Sequence, residues 1–143
     1  MRIVLDTNVL ARAHPLAHGP ARRLLMFVTS GSDALILSQY LLQELRRVLT
    51  YPRVLRSSGL APLDVAEYLE FLVGAATVVN PSSVPEDLLK DLADAPVLGT
   101  ALAGKADVLC TRDAHFFSAA VQKFTAAHAI QVLTDLELLR RFA

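Results

Sequence analysis

One cysteine, Cys110, serves 143 residues, which excludes an internal disulfide and fits a reducing, cytoplasmic compartment. No apolar run approaches the roughly 20 residues of a membrane span. No charged segment leads into an apolar stretch with a small-residue cleavage site, so export is not expected either. Low-complexity tracts, internal repeats and linkers are missing, while 53% of the residues are hydrophobic. A packed core in one domain spanning 1–143 is therefore expected rather than disorder. The chain has neither a G-x-S-x-G elbow nor a G-x-x-x-x-G-K-[ST] loop. "GTALAG" lacks the third glycine and the preceding strand that dinucleotide binding requires. "LDTN" places Asn8 where aspartyl-phosphate enzymes carry a second acid. A zinc pair is short of support too: His14 and His18 are four apart, but Pro15 and Gly19–Pro20 interrupt any helix there. His115 and His128 read as surface or packing residues.

Net charge is absent overall but not locally. Residues 1–60 hold eight arginines against Asp6, Asp33 and Glu44, and residues 61–143 hold six basic against eleven acidic side chains. Eleven of the 14 basic residues are arginine, the side chain best shaped for bidentate phosphate contact. A basic half beside an acidic site would suit a polyanion that needs metal, although solvated helix faces would give the same count.

Two periods alternate along the chain. Short apolar strands are expected at 3–5, 34–38, 77–80, 107–111 and 130–133. Helices are expected at 21–30, at 39–50 with Ser38 as cap and Pro52 as stop, at 61–76, and at 94–106. A short helical turn is expected around 86–90, a mostly helical stretch over 115–129, and a last helix over 135–142 with a Thr134/Glu137 capping box. Nearly all-apolar strands separated by helices indicate a mainly parallel sheet covered on both faces, a three-layer α/β/α sandwich. Sites in such sheets form beyond the carboxyl ends of the strands, where Asp6 and Asp113 stand.

Two further acids sit in odd places. Glu44 lies three residues after Leu41 and four before Val48, on the apolar stripe of its helix, where a lone carboxylate is costly unless paired or bound to metal. Asp94 shares a face with Val97, Leu98 and Ala101, yet as a cap before Pro96 it would need no further role. Asp113 could likewise simply cap the helix after it. Asp33, Asp64, Asp87, Asp107 and Asp135 stand at turns or element starts, where a structural role suffices. Two carboxylates from strand ends, one from a helix stripe and one from a helix start would repel strongly unless a hard divalent cation joined them. All-oxygen donors suit Mg²⁺ or Mn²⁺.

The ordered set "IVLDTNVL", "SQYLLQELRRVL", "DLADAPVLGTALAGKADVLCTRDAHF" and "IQVLTDLELL" resembles the PIN-domain nucleases over essentially the whole chain. "YLLQELRRVLTYPRV" is most similar to bacterial PIN-family toxin components related to VapC-type toxins. The resemblance implies a PIN-like α/β/α fold and cleavage of single-stranded RNA with one or two Mg²⁺ or Mn²⁺ ions. It matches Asp6, Glu44, Asp94 and Asp113 to the catalytic metal-binding acids, with Asp91 a further candidate, and Asn8 and Thr111 to polar residues that brace them. It also implies a homodimer and a cognate antitoxin. Arg12, Arg46, Arg47 and Arg112 are the candidates for RNA phosphate contacts. Arg112 departs from the resemblance by standing where many relatives have glycine, beside Asp113, where it would hold phosphate or pair with an acid. A binding module that holds RNA or protein without cutting is the alternative, and a structure-specific DNA nuclease a more distant one.

Overall fold

The computed structural model describes residues 1–142. Its strands are β1 (Arg2–Leu5), β2 (Ala34–Ser38), β3 (Ala76–Val79), β4 (Val108–Cys110) and β5 (Gln131–Leu133). They form one five-stranded sheet in the order β3-β2-β1-β4-β5, with every pairing parallel. The three central strands explain the unbroken apolar runs. Ile3, Val4 and Leu5, then Leu35, Ile36 and Leu37, then Val108, Leu109 and Cys110, are all buried, because both faces are covered.

The helices are α1 (Thr7–Arg12), α2 (Pro20–Ser30), α3 (Gln39–Leu49), α4 (Pro52–Ser58), α5 (Pro62–Ala75), α6 (Ala95–Ala103), α7 (Ala119–Ala127) and α8 (Asp135–Leu139). Two short 3₁₀ turns, Leu92–Asp94 and Ala114–Phe117, precede α6 and α7. Right-handed crossovers place α1 to α5 on one face as the chain steps from β1 out to β3. The return from β3 to β4 carries α6 across the other face, where it packs on β1, β2 and β4. This is the expected three-layer arrangement with the sheet in the middle.

The elements differ from expectation in four places. Helix α1 was not foreseen, because six residues are too few to show a period; Asp6 caps it, accepting from the Thr7 amide. Pro52 does not merely stop α3: it occupies the first turn of α4, where a missing amide hydrogen costs nothing. Residues 86–90 form turns and bends rather than a helical segment. The last helix keeps its Thr134/Glu137 capping box but ends at Leu139.

Strand order reverses around β1. The chain moves from β1 to β2 on one side and later to β4 on the other, so the ends of β1 and β4 frame a crevice that no connection crosses. That crevice holds the acids.

Candidate active site

Asp6 ends β1, and its environment answers why a core strand runs into a polar corner. Its amide donates to the Cys110 carbonyl at 2.9 Å, extending the β1–β4 ladder. One carboxylate oxygen accepts from the Thr7 amide at 2.7 Å, and the other from Thr111 Oγ1 at 2.8 Å and Asn8 Nδ2 at 3.3 Å. Asn8 Oδ1 in turn accepts from the Arg112 amide at 3.1 Å, and Thr111 Oγ1 from the Asp113 amide at 3.0 Å. One carboxylate thus binds β1, α1 and the loop after β4 together, with Asn8 and Thr111 bracing it. Asp6 is 5% exposed, and burial raises its pKa despite those donors, with Asp113 and Asp94 adding to the rise.

Asp113 stands two residues beyond Thr111 and both caps and faces the site. Its Oδ1 accepts from the His115 amide at 3.0 Å, closing the 3₁₀ turn, and its side chain lines the crevice. Asp94 occupies the cap position of α6, yet its carboxylate makes no capping hydrogen bond. It turns instead to the His115 ring, with Oδ2 3.0 Å from Nδ1. Burial raises the Asp94 pKa, the His115 hydrogen bond opposes this, and Asp113 and Asp91 add to the rise.

Glu44 enters from α3. The buried residues of that helix are Leu41, Leu42, Leu45 and Leu49, whereas Glu44 lies at the edge of the stripe with Tyr40 and Val48, one turn to either side. Its side chain is 30% exposed and pairs with Arg47, so it is not the fully buried charge that the stripe suggested. Tyr40 donates to the Ala93 carbonyl at 2.9 Å and ties α3 to the turn that carries Asp94.

Asp6, Glu44, Asp94 and Asp113 line one cleft of about 300 Å³, together with Thr7, Asn8, Ala11, Tyr40, Val48, Ala93 and Val97. Thr7 Oγ1 is buried without a hydrogen-bond partner. Asp91 does not line the cleft; it caps the 3₁₀ turn by accepting from the Ala93 amide at 2.9 Å. Among the arginines, Arg12 lies one turn after Asn8 on the same side of α1, and Arg47 stands at the rim against Glu44. Arg46 follows Glu44 by two residues and so projects from a different side of α3. Arg112 pairs with an acid, but not with one of the four: its Nε lies 3.2 Å from Oδ1 of Asp135, which is 2% exposed at the start of α8.

The sequence reading missed Tyr40, which lines the cleft, and His115, which stands outside the lining but against two of its acids. Tyr40 is an ordinary helical aromatic by pattern, and only the tertiary fold brings it over the cleft. His115 left a fainter signal, standing two residues after a strand-end acid. Its Nδ1 lies 3.0 Å from Asp94 Oδ2 and 3.5 Å from Asp113 Oδ1, so it is not a bystander. The Asp94 hydrogen bond, with the Asp113 charge, raises its pKa. One donor atom each from Asp94, Asp113 and His115 falls within 4.8 Å of the others.

Carboxylates converging at a strand-end crevice, two of them raised in pKa by burial and mutual repulsion, are the donor set a hard divalent cation satisfies. The residues present fit such an ion.

Comparison with known proteins agrees with the fold. The family model described as PIN domain matches residues 2–115. No curated protein sequence matches the chain. Among solved structures, a chain of the VapBC2 complex from Rickettsia felis, bound to a DNA fragment from their promoter, superposes with a TM-score of 0.60. That likeness covers 92% of this chain and 98% of the other at 14% identity, so it speaks to the fold. With the family model spanning most of the sequence, and the acids gathered where the sheet reverses, this chain belongs to the PIN-domain family, whose members are generally nucleases.

Proposed function

We propose that this chain, a single PIN-like domain, is a Mg²⁺- or Mn²⁺-dependent endoribonuclease that hydrolyses phosphodiester bonds of single-stranded RNA in the cytoplasm. We propose further that it is the toxin of a toxin–antitoxin pair. The observation that carries the enzymatic reading is the convergence of Asp6, Glu44, Asp94 and Asp113 on one cleft. Membership of the PIN-domain family supports it. The likeness to a chain of VapBC2 supports the toxin reading and a cognate antitoxin. Met26 and Phe27 on α2 and Phe71 on α5 are large apolar side chains exposed on the surface, which suits both an antitoxin and a homodimer.

In this reading Asp6, Glu44, Asp94 and Asp113 hold the cation, with Asp91 close enough to add negative charge. Asn8 and Thr111 keep the Asp6 carboxylate aimed by the hydrogen bonds described above. A bound divalent cation would lower the pKa of water and offset phosphate charge as in-line attack proceeds. Hydrolysis by a metal-activated water requires no protein nucleophile, and the single cysteine is unsuited to be one: Cys110 is buried, and burial pushes its thiol pKa far up. Arg12, on the Asn8 side of α1, and Arg47, against Glu44, are the arginines proposed to receive backbone phosphates at the cleft, whereas Arg46 projects from another side of α3 and Arg112 is paired with Asp135.

Because Asp6 also caps α1, removing its side chain would confound structure with chemistry. Asparagine at 6 keeps an acceptor for the Thr7 amide, and Asp94 makes no capping bond to lose. With a single-stranded RNA and Mn²⁺, both Asp6→Asn and Asp94→Asn are expected to lower the cleavage rate by about 10²-fold or more. Chelator-resistant cleavage, or an Asp94→Asn variant as active as its parent, would overturn the assignment.

A further inference from the structure

We propose that the His115 imidazole is a nitrogen donor of the metal centre and gives it a preference for Mn²⁺ over Mg²⁺. The inference rests on the metal-centre reading above and adds a residue outside the four acids. His115 Nδ1 sits 3.0 Å from Asp94 Oδ2 and 3.5 Å from Asp113 Oδ1. Adjacent ligands held about 2.1 Å from a six-coordinate ion lie about 3 Å apart, so these spacings are those of donors that share an ion. The three donor atoms all lie within 4.8 Å of one another, Asp94 and Asp113 from the cleft lining and His115 just outside it, whereas Asp6 and Glu44 line the cleft with their oxygens partly committed. Asp6 already accepts from Thr7, Asn8 and Thr111, and Glu44 is paired with Arg47.

Position on the turn supports the role. His115 is the second residue of the 3₁₀ turn that Asp113 caps, so the bond from the His115 amide to Asp113 Oδ1 sets backbone and ring together. The ring is anchored at one side by Asp94 yet is 52% exposed, so Nδ1 can exchange its contact with Asp94 for a shared ion without repacking the core. A packing histidine would be buried among apolar side chains, and His115 is not.

The chemical consequence concerns selectivity. Mg²⁺ favours oxygen donors and retains water, whereas imidazole binds transition ions increasingly well from Mn²⁺ onward. One nitrogen among carboxylates therefore adds affinity for Mn²⁺ with little gain for Mg²⁺.

Calorimetric titration of Mn²⁺ and of Mg²⁺ into the wild-type protein, His115→Ala and His115→Gln tests this without reference to cleavage. Both variants are expected to raise the Kd for Mn²⁺ about tenfold and that for Mg²⁺ less than about twofold. Electron spin-echo spectra of the Mn²⁺-loaded protein should show imidazole nitrogen modulation in the wild type and none in either variant. Equal changes for the two ions, Mn²⁺ preference kept by His115→Gln, or no nitrogen modulation in the wild type would each overturn the proposal while leaving the metal centre standing. A wild-type protein that binds neither ion would overturn both.

Discussion

Asp135 is 2% exposed, and a carboxylate at such depth needs a cation. Arg112 supplies it, with Nε 3.2 Å from Oδ1, an oxygen that accepts no hydrogen bond. The long cation beside Asp113 is thereby drawn toward α8, which leaves the acids of the cleft free to repel one another. Arg112→Ala should strand the buried charge and destabilise the fold by about 2–3 kcal/mol, read by denaturant unfolding. Adding Asp135→Asn should recover most of that loss, because the orphaned charge disappears. Equal stability of Arg112→Ala and the parent would mean the pair contributes nothing. Neither partner announces the other in the sequence: Arg112 reads as a cation next to an acid, and Asp135 as the first residue of a capped helix. Both readings are locally right, and the contact between them exists only because β4 and β5 are neighbours.

Helix α6 shows how an element aims a functional side chain. Its start presents Asp94 to the cleft, and its middle is pressed against the 81–82 loop through Gly99, whose carbonyl accepts from the Ser82 amide at 2.9 Å. A methyl group at Gly99 would run into the Ser82 carbonyl and come within 3.1 Å of the Pro81 side chain. Gly99→Ala should therefore cost about 1–3 kcal/mol and several degrees in a thermal melt. Gly74→Ala, in α5 where nothing lies within 4 Å, should be neutral or mildly stabilising. The opposite ranking would contradict the packing described.

The long helices and all five strands were legible because apolar period and cap residues speak within a few positions of each other. Short elements were not. Helix α1 has only six residues, and Pro52 ends one helix by the same property that lets it begin another. Glu44 was half legible: spacing placed it on the apolar stripe, but whether it faced the core or the cleft depended on the turn carrying Ala93 and Asp94.

At the scale of the molecule the cleft makes the stability of the metal-free protein depend on pH. Burial raises Asp6 and Asp94 above the ordinary aspartate value, and the Asp94 hydrogen bond raises His115 above the ordinary histidine value. Each group holds its proton more tightly in the folded chain than in the unfolded one. Their contribution to stability is full below the unfolded values and is lost as pH rises through the folded ones. The metal-free protein should therefore melt at progressively lower temperature from about pH 4 to beyond about pH 6.5. Saturating Mn²⁺ should flatten or reverse that trend, since it favours the deprotonated acids. A melting temperature that rises across this window without metal would contradict the strained cluster.

The ordered acids were legible at this scale because the resemblance runs from "IVLDTNVL" to "IQVLTDLELL". The strand order that brings them together, and the histidine that joins them, were not, since both are fixed by pairings between segments far apart in the chain. The central claim is that these side chains close around one cation, and diffraction from crystals of the wild-type protein soaked in Mn²⁺, with data at the manganese edge, tests it most directly. The account predicts an anomalous peak in the cleft within about 2.0–2.4 Å of Asp94 and Asp113 oxygens. No peak there, at an ion concentration that supports RNA cleavage, would contradict it.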